Sequence, residues 1–296
     1  MPAPLLIAIA SLLFAVMGLC VKLASLRYNA GEIVFYRALT GLLLMGGWIV
    51  ARGGSLRTPV AGMHFWRSLS GVSALCLWFY ALGGLPLATA MTLNYTSSVW
   101  MALFLMGGAV LLGASRIDGR LVAAVLTGFV GVALILRPTI DQQQLWHGLA
   151  GLVSGLFAAM AYLQVTALGR VGEPETRVVF YFSLGGVLAG AVFALFGGGF
   201  GSHTLQGLAL LLAIGVLASL AQWMMTRAYS IGQTLSNAAL QYLGIVFSFG
   251  FGVWLFDDPV TWMALAGMAL IMAAGLTATL LGNNARVPTA ATPTET

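Results

Sequence analysis

The sequence predicts an all-α membrane protein, with ten transmembrane helices arranged as two inverted five-helix repeats around a central cavity. Three observations lead there. Only 7% of the 296 residues are charged and 60% are hydrophobic, whereas about 25% are charged in an ordinary soluble domain. The apolar residues gather into stretches close to the roughly 20 residues a helix needs to cross the hydrocarbon core. The two halves of the chain also resemble each other at a nearly constant offset. So few charges do not cover a water-facing surface, and a mean hydropathy of +0.96 calls for lipid as solvent.

Spans are expected at about 4–25, 31–51, 62–83, 86–112, 119–136, 147–168, 177–197, 205–228, 233–255 and 260–281. The first stretch lacks a positive n-region, so it reads as a retained span rather than a signal peptide. Interior glycines are compatible with membrane helices, because they let neighbours approach closely. All nine prolines fall at proposed span ends, Pro86 and Pro259 in places that suit a first helical turn. With no internal proline, unbroken spans are expected. The segment 282–296 is polar, lacks an apolar period and is expected to be a disordered cytoplasmic tail.

Basic residues set the expected orientation. With a cytoplasmic N-terminus, Arg52, Arg57, Arg67, Arg116, Arg120, Arg170, Arg177, Arg227 and Arg286 sit in or beside cytoplasmic connections. Only Lys22, Arg27, Arg37 and Arg137 fall on the other side. The positive-inside rule then places both termini in the cytoplasm. A net charge of +5 does not indicate nucleic acid, since the arginines form no stripe or dense patch. Cys20 and Cys76 lie inside apolar runs, unlike the dense cysteine framework of a small secreted domain.

The internal repeat carries the functional argument. SLLFAVM at 11–17 matches SGLFAAM at 154–160, and VFYRALTGLL at 34–43 matches VFYFSLGGVL at 179–188. Asn94–Tyr95 aligns with Gln241–Tyr242, and Gly131 with Gly275. The units are residues 4–136 and 146–281. An odd number of spans per unit threads the second copy through the bilayer in the opposite sense. Inverted repeats with a site near the midplane recur among secondary transporters. The plainer alternative is a duplicated scaffold with no transport role.

The stretches at 79–135 and 226–275 resemble the EamA domain of the drug/metabolite transporter superfamily. Each has an aromatic-rich helix end, a short turn, a small-residue helix and a leucine-rich helix end before a turn. The resemblance covers about residues 4–281 and is most similar to the YddG-type exporters of aromatic and other neutral amino acids. It implies export driven by the solute's own gradient or by exchange. The family usually has a Gly-Glu pair after the fourth and ninth spans. Here those places read Gly113-Ala114-Ser115 and Phe256-Asp257-Asp258, which puts a role for Asp257 or Asp258 in doubt.

Candidate site residues follow from cost in lipid. Charged groups at depth are expensive and usually functional. Lys22 and Arg37 lie a turn or two inside their spans as possible carboxylate contacts, or as structural ions paired with Glu32. No Asp or Glu lies near the middle of a span, which argues against a carboxylate proton relay. Asn94, Ser97 and Met101 share one face of the fourth span by i, i+3, i+4 spacing, and Gln241, Gly244 and Ser248 share the matching face of the ninth. Such amides offer donors and acceptors to a zwitterion without the full cost of a buried charge, or they join helices by hydrogen bonds. Gln164 is a weaker candidate of this kind. Trp78, Tyr95, Trp100 and Tyr242 are candidate aromatic walls, since small-molecule sites combine apolar surfaces with a few polar groups. Trp48, Trp66, Trp146 and Trp262 read as interfacial anchors.

No metal or cofactor is expected. The three histidines are scattered, and no Walker A, H-E-x-x-H or G-x-S-x-G motif occurs. The expected partners are a small-molecule solute, such as a neutral amino acid, and the lipid of the cell inner membrane. No nucleic acid or obligate protein partner is indicated. A membrane-embedded enzyme would need reactive groups paired at depth, and none is evident. A proton-coupled exporter of other drugs or metabolites and a passive channel are the remaining alternatives. Under the inverted repeat, single cysteines placed at 20–30 and at 140–146 react with an impermeant thiol reagent from the same side of the membrane; labelling from opposite sides contradicts it.

Overall fold

The structure, a computed structural model, describes residues 1–111, 119–136 and 142–284. Gly113-Ala114-Ser115, Arg116, Arg137, Pro138, residues 140 and 141, and the tail from 285 onward lie outside the described residues. Among the described residues every regular element is a helix. α1 (Ala3–Ala24) begins directly after Pro2, where a missing N–H costs nothing. α2 (Ala30–Ala51) is capped by Asn29, whose side chain accepts from the Glu32 N–H at 2.8 Å. α3 (Ala61–Gly84) stops before Pro86, in keeping with proline's disfavour of helix in the preceding residue.

After α3 come α4 (Leu87–Tyr95), α5 (Ser97–Leu111), α6 (Gly119–Leu136) and α7 (Gln142–Arg170). The remaining helices are α8 (Glu175–Phe196), α9 (Leu205–Ile231), α10 (Thr234–Leu240), α11 (Leu243–Phe256) and α12 (Trp262–Asn284). Five described helices are long and apolar enough to cross a membrane: Ala3–Ala24, Ala30–Ala51, Gln144–Arg170, Glu175–Phe196 and Leu205–Ile231. A helix of 22 residues rises about 33 Å, close to the thickness of the hydrocarbon core.

Two expected spans are not continuous. The stretch 86–112 breaks at Thr96 into α4 and α5, and 233–255 breaks at Gln241–Tyr242 into α10 and α11. Proline is not the cause. At the first break the Thr96 hydroxyl donates back to the Leu93 carbonyl at 2.7 Å, and the Ser98 hydroxyl to Tyr95 at 3.1 Å. Hydroxyls that bond carbonyls one turn back bend helices. The ladder tightens there, with Thr96 N–H reaching Leu93 and Val99 N–H reaching Thr96. At the second break Gly244 N–H reaches Gln241 and Ile245 N–H reaches Tyr242 in the same way. These are single 3₁₀ turns within longer helical paths.

Packing joins the two halves of the chain. α2 lies along α8, α3 along α7, α1 along α9 and α6 along α12. The matching stretches 34–43 and 179–188 touch each other. A Cβ on Gly41 would sit 2.7 Å from Ser183 Oγ, and one on Gly186 would sit 2.8 Å from Ala38 Cβ. Small residues at such crossings let backbones approach where lipid supplies no hydrophobic drive. The helix ends collect at two faces. Ser25 lies near Gly83 and the His147 ring stacks on Tyr80 at 4.3 Å, which brings the ends of α1 and α3 to the start of α7. At the opposite face Tyr181 donates to the Leu56 carbonyl at 2.7 Å, and Arg177 to Ser55 at 3.1 Å. Trp48, Trp66, Trp146 and Trp262 are all exposed, as interfacial anchors should be.

A close backbone approach at the α2–α8 crossing gives a stability test. A Cβ on Gly190 would meet the Phe35 backbone nitrogen at 2.6 Å, and backbone has no rotamer through which to yield. Gly190→Leu should therefore destabilise the α2–α8 crossing by about 1–3 kcal/mol, seen as a lower melting temperature in detergent. Gly47→Leu, where nothing lies within 4 Å, should leave the melting temperature nearly unchanged.

Candidate functional site

A cavity of about 520 Å³, its open side included, lies between α1, α2, α3, α4, α7, α8 and α9. Its depth follows from helix positions. Arg37 is seven residues into α2 from the face that holds Lys22, about 10 Å down at 1.5 Å per residue. Arg67 is six residues into α3 from the opposite face, about 9 Å in by the same measure. The long arginine side chains therefore reach towards mid-depth from both ends.

The two arginines dominate the electrostatics. Arg37 and Arg67 are buried, at 5% and 2% exposure. The Arg37 guanidinium carbon lies 5.3 Å from the centre of the Phe182 ring, and that of Arg67 lies 4.3 Å from it. The two cations are therefore within about 10 Å of one another. A ring face offsets part of the cost of a desolvated cation but does not neutralise it. Among the described residues no carboxylate lines the cavity. Gly71 sits one turn beyond Arg67, and a side chain there would displace the guanidinium.

The remaining wall is aromatic and donor-rich. Trp78, Tyr95, Tyr162 and Phe14 supply rings, and Asn94 and Gln222 supply amides. Arg37 Nε, Arg67 Nε and Nη1, Trp78 Nε1 and Gln222 Nε2 are buried without a protein hydrogen-bond partner. Each of these unpartnered atoms in the cavity wall is an N–H donor. Buried polar groups are ordinarily satisfied, so these donors are ones an acceptor oxygen would satisfy.

The expected site residues divide into two groups. Trp78, Asn94, Tyr95 and Arg37 come together at the cavity. Asn94 also donates to Ser154 Oγ at 2.9 Å, which ties α4 to α7. Gln241 is buried behind the wall and hydrogen-bonds Tyr162, which lines it. Tyr242 bonds Ser98 across the two broken spans, while the Tyr95 ring lies against Gly244. Ser97 is buried and Trp100 packs against a neighbouring core, both outside the cavity wall. Gln164 accepts from Ser70 at 3.1 Å and joins α7 to α3. The 3₁₀ turns place these side chains between helices rather than on one continuous face.

Three ionic expectations are corrected. Glu32 pairs with neither Lys22 nor Arg37; it faces His203 Nε2 at 3.2 Å and accepts from Gly201 N–H at 3.3 Å. Lys22 pairs with Asp258 at 2.7 Å, lies over the Phe256 ring at 4.5 Å, and is not in the cavity. Asp258 also accepts from Leu87 N–H at 2.9 Å, at a helix N-terminus where negative charge is favoured. Its neighbour Asp257 ends α11 with a left-handed backbone, φ 49°. Arg67, counted from sequence among the basic residues in or beside cytoplasmic connections, stands in the cavity wall because α3 starts six residues before it. Gln222 and Phe182 had no signal in the sequence beyond lying in apolar helices.

On the face opposite Lys22, His64 Nε2 donates to Glu173 Oε1 at 2.9 Å, since a carboxylate only accepts, and Arg177 donates to the same oxygen at 3.1 Å. Burial raises the Glu173 carboxyl, but hydrogen bonds from His64, Thr58 and Arg177 outweigh it and hold the group below its ordinary value. Among the described residues no cluster of His, Cys, Asp and Glu could hold a metal ion.

Comparison with known proteins extends these observations. The EamA-like transporter family matches residues 1–137. The chain is 34% identical over 271 residues to the pseudopaline exporter CntI of Pseudomonas aeruginosa, covering 91% of this chain and 93% of that protein. It is 26% identical over 279 residues to an uncharacterized transporter of Helicobacter pylori, with 92% of each covered. It is 30% identical over 199 residues to a riboflavin transporter of Rhizobium johnstonii, covering 65% of this chain and 61% of that one. A crystal structure 21% identical in sequence superposes with a TM-score of 0.66 over 95% of this chain and 98% of its own, a likeness of fold alone. With helices of membrane-spanning length around a buried polar cavity, the chain belongs to the EamA-like transporter family of membrane proteins and is a transporter of small molecules, not an enzyme.

Proposed function

We propose that this chain is a secondary exporter of small carboxylate-bearing metabolites, amino acids among them, working by alternating access in the cell inner membrane. The observation that carries the reading is the cavity whose fully buried, unpartnered side-chain atoms are N–H donors and whose wall, among the described residues, holds two arginines and no acid. A carboxylate accepts from such a set, and a guanidinium binds it through two parallel hydrogen bonds. The rings of Trp78, Tyr95 and Tyr162 supply the apolar surface a side chain needs.

The architecture we propose is ten spans in two inverted units, 4–136 and 146–281, with α4–α5 and α10–α11 each forming one broken span. The pairing of α1 with α9 and of α3 with α7 supports it, because a two-fold axis exchanging the units turns one pair into the other. The mutual contact of Gly41 with Ser183 and Gly186 with Ala38 supports an axis passing between α2 and α8. The balance of basic residues supports cytoplasmic termini, with the Lys22 face outside. Asp258, Lys22 and the α4 N-terminus form an outer latch between the units. Glu173, His64 and Arg177 form an inner one. Opening one latch while the other holds exposes the cavity to one side at a time.

Transport in proteoliposomes of the purified protein tests the function. Uptake of phenylalanine or glutamate should saturate, show counterflow and need no pH gradient. Asn94→Ala should raise the half-saturation concentration by about three- to tenfold, the loss of roughly one hydrogen bond. Transport that runs only with a proton gradient contradicts the uncoupled mechanism.

The latches make a second prediction, read by thiol labelling of a cysteine at the cavity-lining position Ala161. Glu173→Gln should speed labelling several-fold from the inner face, and Asp258→Asn from the outer. A carboxyl held below its ordinary value stabilises the latch above the ordinary range and loses that contribution as pH falls through the lowered value. Inner-face labelling should therefore stay slow at neutral pH and rise only in acid. Equal rates in all variants contradict the latch assignment.

A further inference from the structure

We infer that the solute carries two anionic groups, one held by Arg37 and the other by Arg67, and that these two arginines set the specificity of the cavity. The inference rests on the carboxylate reading above and deepens it to a substrate class: small dicarboxylates, free or built on an amino-acid frame.

The two cations come from different helices and opposite ends of the bundle, and both lie against the one Phe182 ring. Each is nine-tenths or more buried and each keeps an unpartnered Nε. Among the described residues no acid lines the cavity, and the ion pairs at Asp258, Glu32 and Glu173 are made with other bases. Two like charges within about 10 Å in a poorly solvated cavity repel, and an uncompensated buried charge is costly. A solute with one carboxylate relieves one of them. A solute with two acidic groups several ångströms apart relieves both and cancels the repulsion. The donors Trp78 Nε1 and Gln222 Nε2 supply further hydrogen bonds for acceptor oxygens between them. Gly71 keeps the space into which the Arg67 guanidinium folds, so it acts as a positioning residue.

Matched acid and amide pairs provide the test: glutamate with glutamine, and succinate with its monoamide succinamate. Binding to the full-length protein in detergent is followed by tryptophan fluorescence, and transport by counterflow in proteoliposomes. The diacid of at least one pair should bind about tenfold or more tightly than its amide, the worth of one charge-assisted contact. Arg37→Gln and Arg67→Gln should each collapse that ratio towards one, because the diacid loses a second charge-assisted contact that the amide never makes. Arg67→Lys should recover part of the preference. Gly71→Val, which keeps the charge but moves it, should weaken binding of the diacid more than that of the amide and so lower the ratio.

A structural role alone would lower the melting temperature of the arginine variants without moving the ratio, and that result overturns the inference. Equal binding of acid and amide in the wild type also overturns it, as does failure of every diacid to bind. If neutral amino acids are still transported saturably in those cases, the proposed function stands without the dianion. Absence of saturable transport for every probe counts against the proposed function itself.

Discussion

Lipid tolerates very little uncompensated charge, and that constraint orders the rest of the structure. A soluble protein scatters ions over a wet surface at small cost, but here each ion within the bundle needs a partner, a ring face or a cavity. Lys22 has Asp258, Glu32 has His203, and Glu173 has His64 and Arg177. These pairs lie near the helix ends, where α-helix termini and loops supply further donors. Arg37 and Arg67 are different: buried nearer mid-depth, both lie against the Phe182 ring, and among the described residues no acid stands in the cavity wall. On the proposed reading, charges tolerated there at such cost meet the anionic groups of the solute when the cavity is occupied.

The same reasoning connects packing to motion. Close glycine contacts at the α2–α8 crossing fix one region firmly, because shape alone holds helices together when both sides of the contact are apolar. The ion pairs sit towards the two faces and join segments far apart in sequence, Lys22 to Asp258 across 236 positions and His64 to Glu173 across 109. In the proposed mechanism such contacts hold a closed face, and water compensates their ions once the face opens. A rigid centre with breakable ends suits rocking between two arrangements.

Much of this was legible in the sequence because lipid imposes a simple code. Apolar run lengths marked the helices to within a few residues at α2 and α8, and the matching stretches at 34–43 and 179–188 proved to be the ones in contact. Asn94, Trp78 and Arg37 were found because polar or aromatic groups inside apolar runs stand out. Other features carry no local signature. A break without proline depends on where Thr96 and Ser98 hydroxyls turn, which helical spacing does not reveal. Arg67 lies six residues inside its helix, and in sequence that resembles an interfacial anchor. The partner of Lys22 is a tertiary fact: Asp258 looked like the remnant of a family motif until folding set it beside the start of α4.

Distance measurement on both faces at once tests alternating access most directly. Spin labels at Leu26 and Val260, both exposed near the Lys22 face, report one side; labels at Arg57 and Val171, both exposed near Glu173, report the other. Addition of a transported solute to the protein in lipid should lengthen one distance as it shortens the other. Two distances that lengthen together, or that both stay fixed while solute is transported, would contradict a cavity exposed to one side at a time.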